Sequence, residues 1–271
     1  DVFIKLYLDG GKHWQVECRG LQALADNGIA APAVLHTGTA DDGALHVIVL
    51  EAIQPAVTLD AALSQAHEEE ARLALLQQAI VCIASHHGAG LEQRDIHLNN
   101  FLLAGERLYT LDGGGIHDSG STELSVTQSR DNLALFFAEL YPDDDAFIDR
   151  LLPVYLQRRS WESHDLPAAT LRQRIGHFRD RRLRRFLKKV FRDCSAFICE
   201  HGWRFFRVYD RAVDSAEMVK FLADPDASLQ QADAQYLKQG NTCTLWTTRV
   251  DGRRLVVKRY NIKGLKHGIN R

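Results

Sequence analysis

Sulfur is scarce in this sequence: five Cys and one Met (Met218) in 271 residues. The cysteines (Cys18, Cys82, Cys194, Cys199, Cys243) are odd in number, widely spread and form no C-x-x-C pair. That excludes a disulfide-stapled scaffold and predicts reduced thiols in a cytoplasmic protein. Zinc chemistry lacks support, because there is no H-E-x-x-H and no Cys/His cluster. Serine hydrolysis lacks it too, because there is no G-x-S-x-G. No apolar run reaches the roughly 18 residues of a membrane-spanning helix. Proline is rare, with six residues, and charge of one sign hardly predominates, with 33 Lys+Arg against 35 Asp+Glu. A hydrophobic content of 45% with 25% charged residues excludes a disordered or collagen-like chain.

The net charge of −2 conceals a segregation. Ten Lys/Arg and one acid, Asp180, lie between Arg172 and Arg192, a local balance of +9 against −11 elsewhere. Such an imbalance bears on partners rather than on fold. Apolar residues at 183, 186, 187, 190, 191, 194, 197 and 198 predict one amphipathic helix with a cationic face. Its aromatics follow the apolar stripe instead of interleaving with the charges, so no nucleic-acid partner is expected.

Residues 2–8 alternate and are rich in β-formers, which predicts a strand ending at an Asp9-Gly10-Gly11 turn. Residues 13–27 predict a helix stopped by Asn27-Gly28. Glu17 lies on the apolar stripe of that helix, and a carboxylate there needs a partner. Strands are expected at 33–37 and, after an Asp41-Asp42-Gly43 turn, at 45–50. Thr58 can cap a short helix, 68–87 reads as a long one, and 131–140 as another. His86-His87 suits the dipole at the long helix's C-terminus better than a metal site. A hairpin is expected around 101–111, and Asp251-Gly252 signals a second between strands 243–250 and 255–260.

The sharpest signal is Gln93-Arg94-Asp95-Ile96-His97-Leu98-Asn99-Asn100, followed after the hairpin by Asp112-Gly113-Gly114-Gly115. It puts two carboxylates and an amide at the mouths of neighbouring loops. One carboxylate can orient and deprotonate a hydroxyl. The amide and the other carboxylate are hard oxygen ligands suited to Mg²⁺. Phosphoryl transfer requires such a set.

Arg94-Asp95-x-x-x-x-Asn100 resembles the H-R-D-x-x-x-x-N loop of protein-kinase-like folds, with Gln93 for His. Asp112-Gly113 resembles D-F-G, with Gly for Phe. Within that superfamily, "DIHLNNFLL" (95–103), "LDGGGI" (111–116), "LQALADNGIAAP" (21–32) and "RRFLKKVFRDC" (184–194) resemble bacterial lipopolysaccharide core kinases. The resemblance covers about residues 1–200.

It implies an α+β, protein-kinase-like fold and transfer of phosphate from ATP, with Mg, to a heptose or Kdo hydroxyl of the inner core. Asp95 is implied as catalytic. Asn100 and Asp112 are implied as metal ligands. Lys5, Glu17 and the hinge residue Glu51 are implied as nucleotide-binding, and Asp131 as a buttress of the catalytic loop. A lipid-linked anionic saccharide is the implied acceptor. Residues 172–192 are expected to touch the inner-membrane surface peripherally. The expected organisation is a partial N-lobe (1–57), a helical C-lobe (58–232) and the first strands of a second N-lobe (233–271), with Lys258 as its strand lysine. No glycine-rich loop precedes Lys5, which predicts an N-lobe truncated at its start. Two other readings stay open: an aminoglycoside- or choline-type small-molecule kinase, and a non-catalytic pseudokinase scaffold.

Overall fold

The computed structural model describes residues 1–8, 11–40, 45–203 and 205–261. It divides into two compact units, residues 1–181 and 182–271. The expected helical lobe 58–232 is therefore split inside the basic helix.

The first unit opens with an antiparallel sheet. Strands β1 (Val2–Tyr7), β2 (Val34–Ala40) and β3 (Leu45–Glu51) lie in the order β1-β3-β2, with Lys5 opposite Ile48. Helix α1 (Lys12–Asp26) packs on this sheet through Leu21, which meets Ile48 and Leu50. Of the two expected turns flanking these elements, Asp9-Gly10 and Asp41–Gly43 lie outside the described residues.

A helical body follows. Thr58 closes β4 (Val57–Thr58) and caps α2 (Leu59–Gln65), its hydroxyl accepting from the Ala61 amide at 3.2 Å. Helix α3 (Glu69–Gly88) runs through the core, burying Leu76, Ile80 and Ile83 against α4 (Val126–Phe137) and α5 (Ile148–Arg159). Between α3 and α4 lie β5 (Leu91–Gln93), the hairpin β6 (Phe101–Ala104) and β7 (Arg107–Thr110), and β8 (Ile116–Asp118). Strand β5 pairs with β8, and β4-β6-β7 form a second small sheet. These short ladders hold the two loops that carry Asp95 and Asp112.

Two local expectations are corrected. The helix expected at 131–140 starts at Val126, because Ser125 and Gln128 form a reciprocal capping box. The basic helix, α6 (Ala168–Val190), stops before Cys194. Phe197 and Ile198 instead enter β9 (Phe197–His201), which pairs with β10 (Phe206–Asp210). Asp193-Cys194-Ser195 interrupts the helical pattern, and a β-rich run follows it.

The second unit comprises the end of α6, this hairpin, α7 (Ala216–Ala223), and strands β11 (Gln235–Gln239), β12 (Cys243–Val250) and β13 (Arg253–Tyr260). The last three form an antiparallel sheet centred on β12. Trp246 is its buried anchor, and its indole donates to Ser228 Oγ at 2.9 Å. Strand β11 and the β9–β10 hairpin were not expected from the sequence.

Candidate active site

Lys5 projects from β1 toward α1, where its Nζ lies 2.6 Å from Glu17 Oε1. Glu17 is almost wholly buried, so its charge must be compensated. Lys5 provides one compensation. The backbone supplies two more: the Gly113 amide donates to Oε1 at 3.2 Å, and the Gly114 amide to Oε2 at 2.8 Å. Glu17 thus joins the strand lysine to the glycine turn after Asp112.

Asp112 holds a left-handed backbone conformation (φ 62°, ψ 78°), uncommon for a residue with a side chain. Its Oδ1 lies 3.8 Å from Lys5 Nζ. Burial raises the Asp112 pKa, and the nearby Glu17 and Asp95 carboxylates raise it further, against the opposing pull of Lys5.

Backbone bonds register the second loop against the first. The Arg94 amide donates to the Gly115 carbonyl at 2.8 Å, and the Leu111 amide to the Asn100 carbonyl at 2.8 Å. Gln93 pairs with Ile116 in the β5–β8 ladder. Gly115 sits between the two acids: a Cβ there would lie 3.6 Å from Asp95 Cβ and 3.7 Å from Asp112 Oδ2. Asn100 Nδ2 donates to the Asp95 carbonyl at 2.8 Å. The Asn100 side-chain oxygen makes no hydrogen bond among the described residues.

A cavity of about 380 Å³ opens beside these groups. Its lining includes Lys5, Leu50, Glu51, Leu102, Asn100 and Asp112. Five of the six expected site residues therefore meet directly or across a shared backbone bond, and Glu51 joins them on the cavity wall. The Glu51 amide is already donated to the Ala33 carbonyl at 2.9 Å, so that group cannot serve a nucleotide base.

The expectation for Asp131 is corrected. Its carboxylate faces Arg174 at 2.6 Å and Arg130 at 2.8 Å. The buttress is its neighbour: Asn132, fully buried, donates from Nδ2 to the Gln93 carbonyl at 2.8 Å. Behind it, His87 Nε2 meets Asn132 Oδ1 at 3.0 Å and His87 Nδ1 meets Tyr155 Oη at 2.7 Å. Because Asn132 Oδ1 can only accept, Nε2 carries the proton and Nδ1 accepts from the tyrosine. Arg159 in turn donates to Tyr155 Oη at 3.5 Å. A chain of donors thus runs from Arg159 to the backbone just ahead of Asp95.

The dipole role expected for His86-His87 is corrected as well. Burial pushes the His86 pKa down to about 4 and that of His87 to about 3, so both are neutral at pH 7. Arg159 adds to the depression at His87. Gln93, standing where the related loops carry His, is buried and donates to the Leu111 carbonyl at 3.5 Å, one residue before Asp112. His97 takes a local role: its Nδ1 accepts from the Asn99 amide at 3.2 Å, and its Nε2 lies 3.5 Å from Glu139.

A lysine–glutamate pair on a small sheet and helix, two loop carboxylates and an amide thus gather around one glycine turn. Residues 11–113, well under half of the chain, match the model of the Lipopolysaccharide kinase (Kdo/WaaP) family. The family that the loop motifs resemble is thus the one whose model matches this part of the chain. No curated protein matches the chain. Among solved structures it is similar to "WaaP in complex with acyl carrier protein", at 20% identity and a TM-score of 0.47, over 66% of this chain and 79% of that one. No helix among the described residues is long and apolar enough to cross a membrane.

Proposed function

We propose that this chain transfers the γ-phosphoryl group of ATP, with Mg²⁺, to a sugar hydroxyl of lipopolysaccharide inner core, a heptose or Kdo. The observation that carries the reading is the Glu17 clamp, which ties Lys5 and the Asp112 turn into one unit beside Asp95 and Asn100. The match to the Lipopolysaccharide kinase (Kdo/WaaP) family supports the acceptor class.

The residues fit a magnesium ion. Asp112 is a half-buried carboxylate crowded by other acids, and the free oxygen of Asn100 shares its cavity. Mg²⁺ takes few protein ligands and leaves the rest to water and phosphate. When bound, the ion neutralises charge on the phosphate oxygens.

Lys5, steadied by Glu17, would hold the α- and β-phosphates, and Leu50 and Leu102 would flank the base. Asp95, exposed at the loop mouth, would orient the acceptor hydroxyl and accept its proton. The Asn100–Asp95 backbone bond fixes that carboxylate relative to the metal ligands. The sheet β11–β13 supports a second lobe of related type, because β13 carries Lys258 mid-strand opposite Leu245. There Lys258 lies over the Tyr260 ring, 4.7 Å from its centroid.

The test is transfer from labelled ATP to dephosphorylated lipopolysaccharide core. Asp95→Asn should lower kcat by about 10²–10⁴-fold with nucleotide affinity retained. Asp112→Ala should abolish the metal-dependent part of nucleotide binding. Equal transfer by all three proteins would overturn the reading, and transfer to soluble amino-alcohols alone would move it to a small-molecule kinase.

A further inference from the structure

The cationic helix divides into two halves of different character. In the first half three of the four cations are answered by acids of the same unit. Arg172 pairs with Asp149 at 2.8 Å, Arg174 with Asp131 at 2.6 Å, and Arg179 with Asp145 at 2.7 Å. Leu171, Ile175 and Phe178 are buried there. That half is a structural seam, although it contributes to the charge count.

In the half within the second unit, five cations have no such partners. Arg184, Arg185, Lys188, Lys189 and Arg192 are exposed, and no carboxylate among the described residues pairs with them. The acids that follow the helix are committed elsewhere: Asp193 to Arg211, and Glu200 to Arg207. The apolar stripe between these cations is exposed too. Leu183 is 56% exposed, Phe186 52%, Leu187 46% and Phe191 60%. Leaving such a stripe in water is unfavourable unless something covers it.

The β9–β10 hairpin extends the same surface. Phe206 stacks on Phe191 with ring centroids 6.1 Å apart, and Phe197 meets Phe186 edge-on at 5.6 Å. These contacts set the hairpin beside the exposed stripe. Its tip carries Trp203, which is fully exposed, and Phe205, which is half exposed. The Gly202 amide donates to the Phe205 carbonyl at 2.9 Å.

We infer that the end of α6 and the tip of the β9–β10 hairpin together form a docking surface for an anionic lipid bilayer. Three features select that partner. Cations without acids attract a negatively charged surface. A helix with an apolar stripe between basic residues lies in the headgroup plane. An exposed Trp beside Phe belongs at the water–hydrocarbon boundary, where its ring is half solvated. A protein partner would more often present acids to individual arginines, and the aromatic tip would then be superfluous. The footprint is narrower than the whole basic segment, because Arg172, Arg174 and Arg179 are excluded from it.

The experiment is vesicle co-sedimentation of the full chain, with no activity readout, so its outcome is separate from that of the phosphotransfer assay. Vesicles are phosphatidylcholine alone, or phosphatidylcholine with about 30% phosphatidylglycerol. The chain should sediment with the anionic vesicles only. Binding should fall about tenfold or more when Arg184, Arg185, Lys188, Lys189 and Arg192 are all changed to Gln, and at about 0.5 M salt. Trp203→Ser should weaken binding and remove the blue shift of tryptophan emission, while Arg172→Gln should leave both unchanged. Unaltered circular dichroism of the five-Gln variant shows that the helix persists. Equal binding to both vesicle types, no binding to either, or self-association that the five-Gln variant abolishes would each overturn the proposal.

Discussion

Gly20 of α1 and Gly113 of the turn after Asp112 touch backbone to backbone. A Cβ on Gly20 would lie 1.9 Å from the Gly113 carbonyl oxygen. A Cβ on Gly113 would lie 2.5 Å from the Glu17 carbonyl oxygen and 2.7 Å from Leu21 Cγ. The two glycines therefore allow the helix to approach closely enough for Glu17 to reach the Gly113 and Gly114 amides. Gly20→Ala should push α1 away from the turn, loosening Lys5 and Asp112 together. We expect about 1–3 kcal/mol lost in unfolding experiments and at least about tenfold lost in kcat/KM. Gly176→Ala is the control, because it sits in α6 with open space around it. It should stabilise slightly, by up to about 1 kcal/mol.

The Lys5–Glu17 pair is asymmetric in burial, with side chains 27% and 4% exposed. Removing the lysine strands a buried carboxylate, whereas removing the glutamate's charge leaves a lysine that can reach water or Asp112. Lys5→Met should therefore cost about 2–3 kcal/mol of stability, and Glu17→Gln less. The double variant should recover most of the lost stability while remaining inactive. Chemical denaturation alongside a transfer assay checks this. A double variant less stable than Lys5→Met alone would show that the pair is not the source of the cost.

Much of the candidate site's layout was legible because it is local. Asp95, Asn100 and Asp112 fall within one loop–hairpin–loop segment, so spacing alone places them at one mouth. Glu17 was legible as a carboxylate on an apolar stripe. The network behind the site was not. Asp131 reads as the anchoring acid, but helix phase places Ser129, Asn132, Leu133 and Phe136 inward and turns Asp131 toward α6. His86 and His87 read as dipole partners because burial on both sides of a helix end cannot be seen from its own sequence. The end of the basic helix was misread for a related reason. Phe197 and Ile198 fit the helical period by coincidence, and their β-pairing with β10 prevails.

The buried histidines predict an acid-sensitive fold. In the unfolded chain each titrates near pH 6.5, and in the folded chain only near 4 for His86 and 3 for His87. Below pH 6.5 the unfolded state therefore binds more protons, and stability falls with pH. It is fully present above about 6.5 and is lost progressively toward the folded values. At pH 5 the loss is about 2 kcal/mol for each histidine. Urea midpoints at pH 7.5 and pH 5 measure it. In His86→Gln the difference between the two should shrink by about half, and an unchanged difference would assign the acid sensitivity to other groups.

Asn132 and Asp131 offer a direct comparison between the residue the structure selects and the one its sequence suggests. Asn132→Ala leaves the Gln93 carbonyl and the His87 Nε2 proton without partners in the interior. Each such loss costs about 1–3 kcal/mol. The loop ahead of Asp95 is also released, so kcat should fall further than the stability loss explains, with ATP KM little changed. Asp131→Ala removes ion pairs that are partly exposed, Asp131 and Arg174 having side chains 27% and 33% exposed. Such pairs contribute about 1 kcal/mol or less, so activity should be nearly unaltered. Measuring kcat, KM and unfolding free energy for both variants decides the matter. An Asp131→Ala protein that loses kcat while Asn132→Ala keeps it would return the buttress to Asp131.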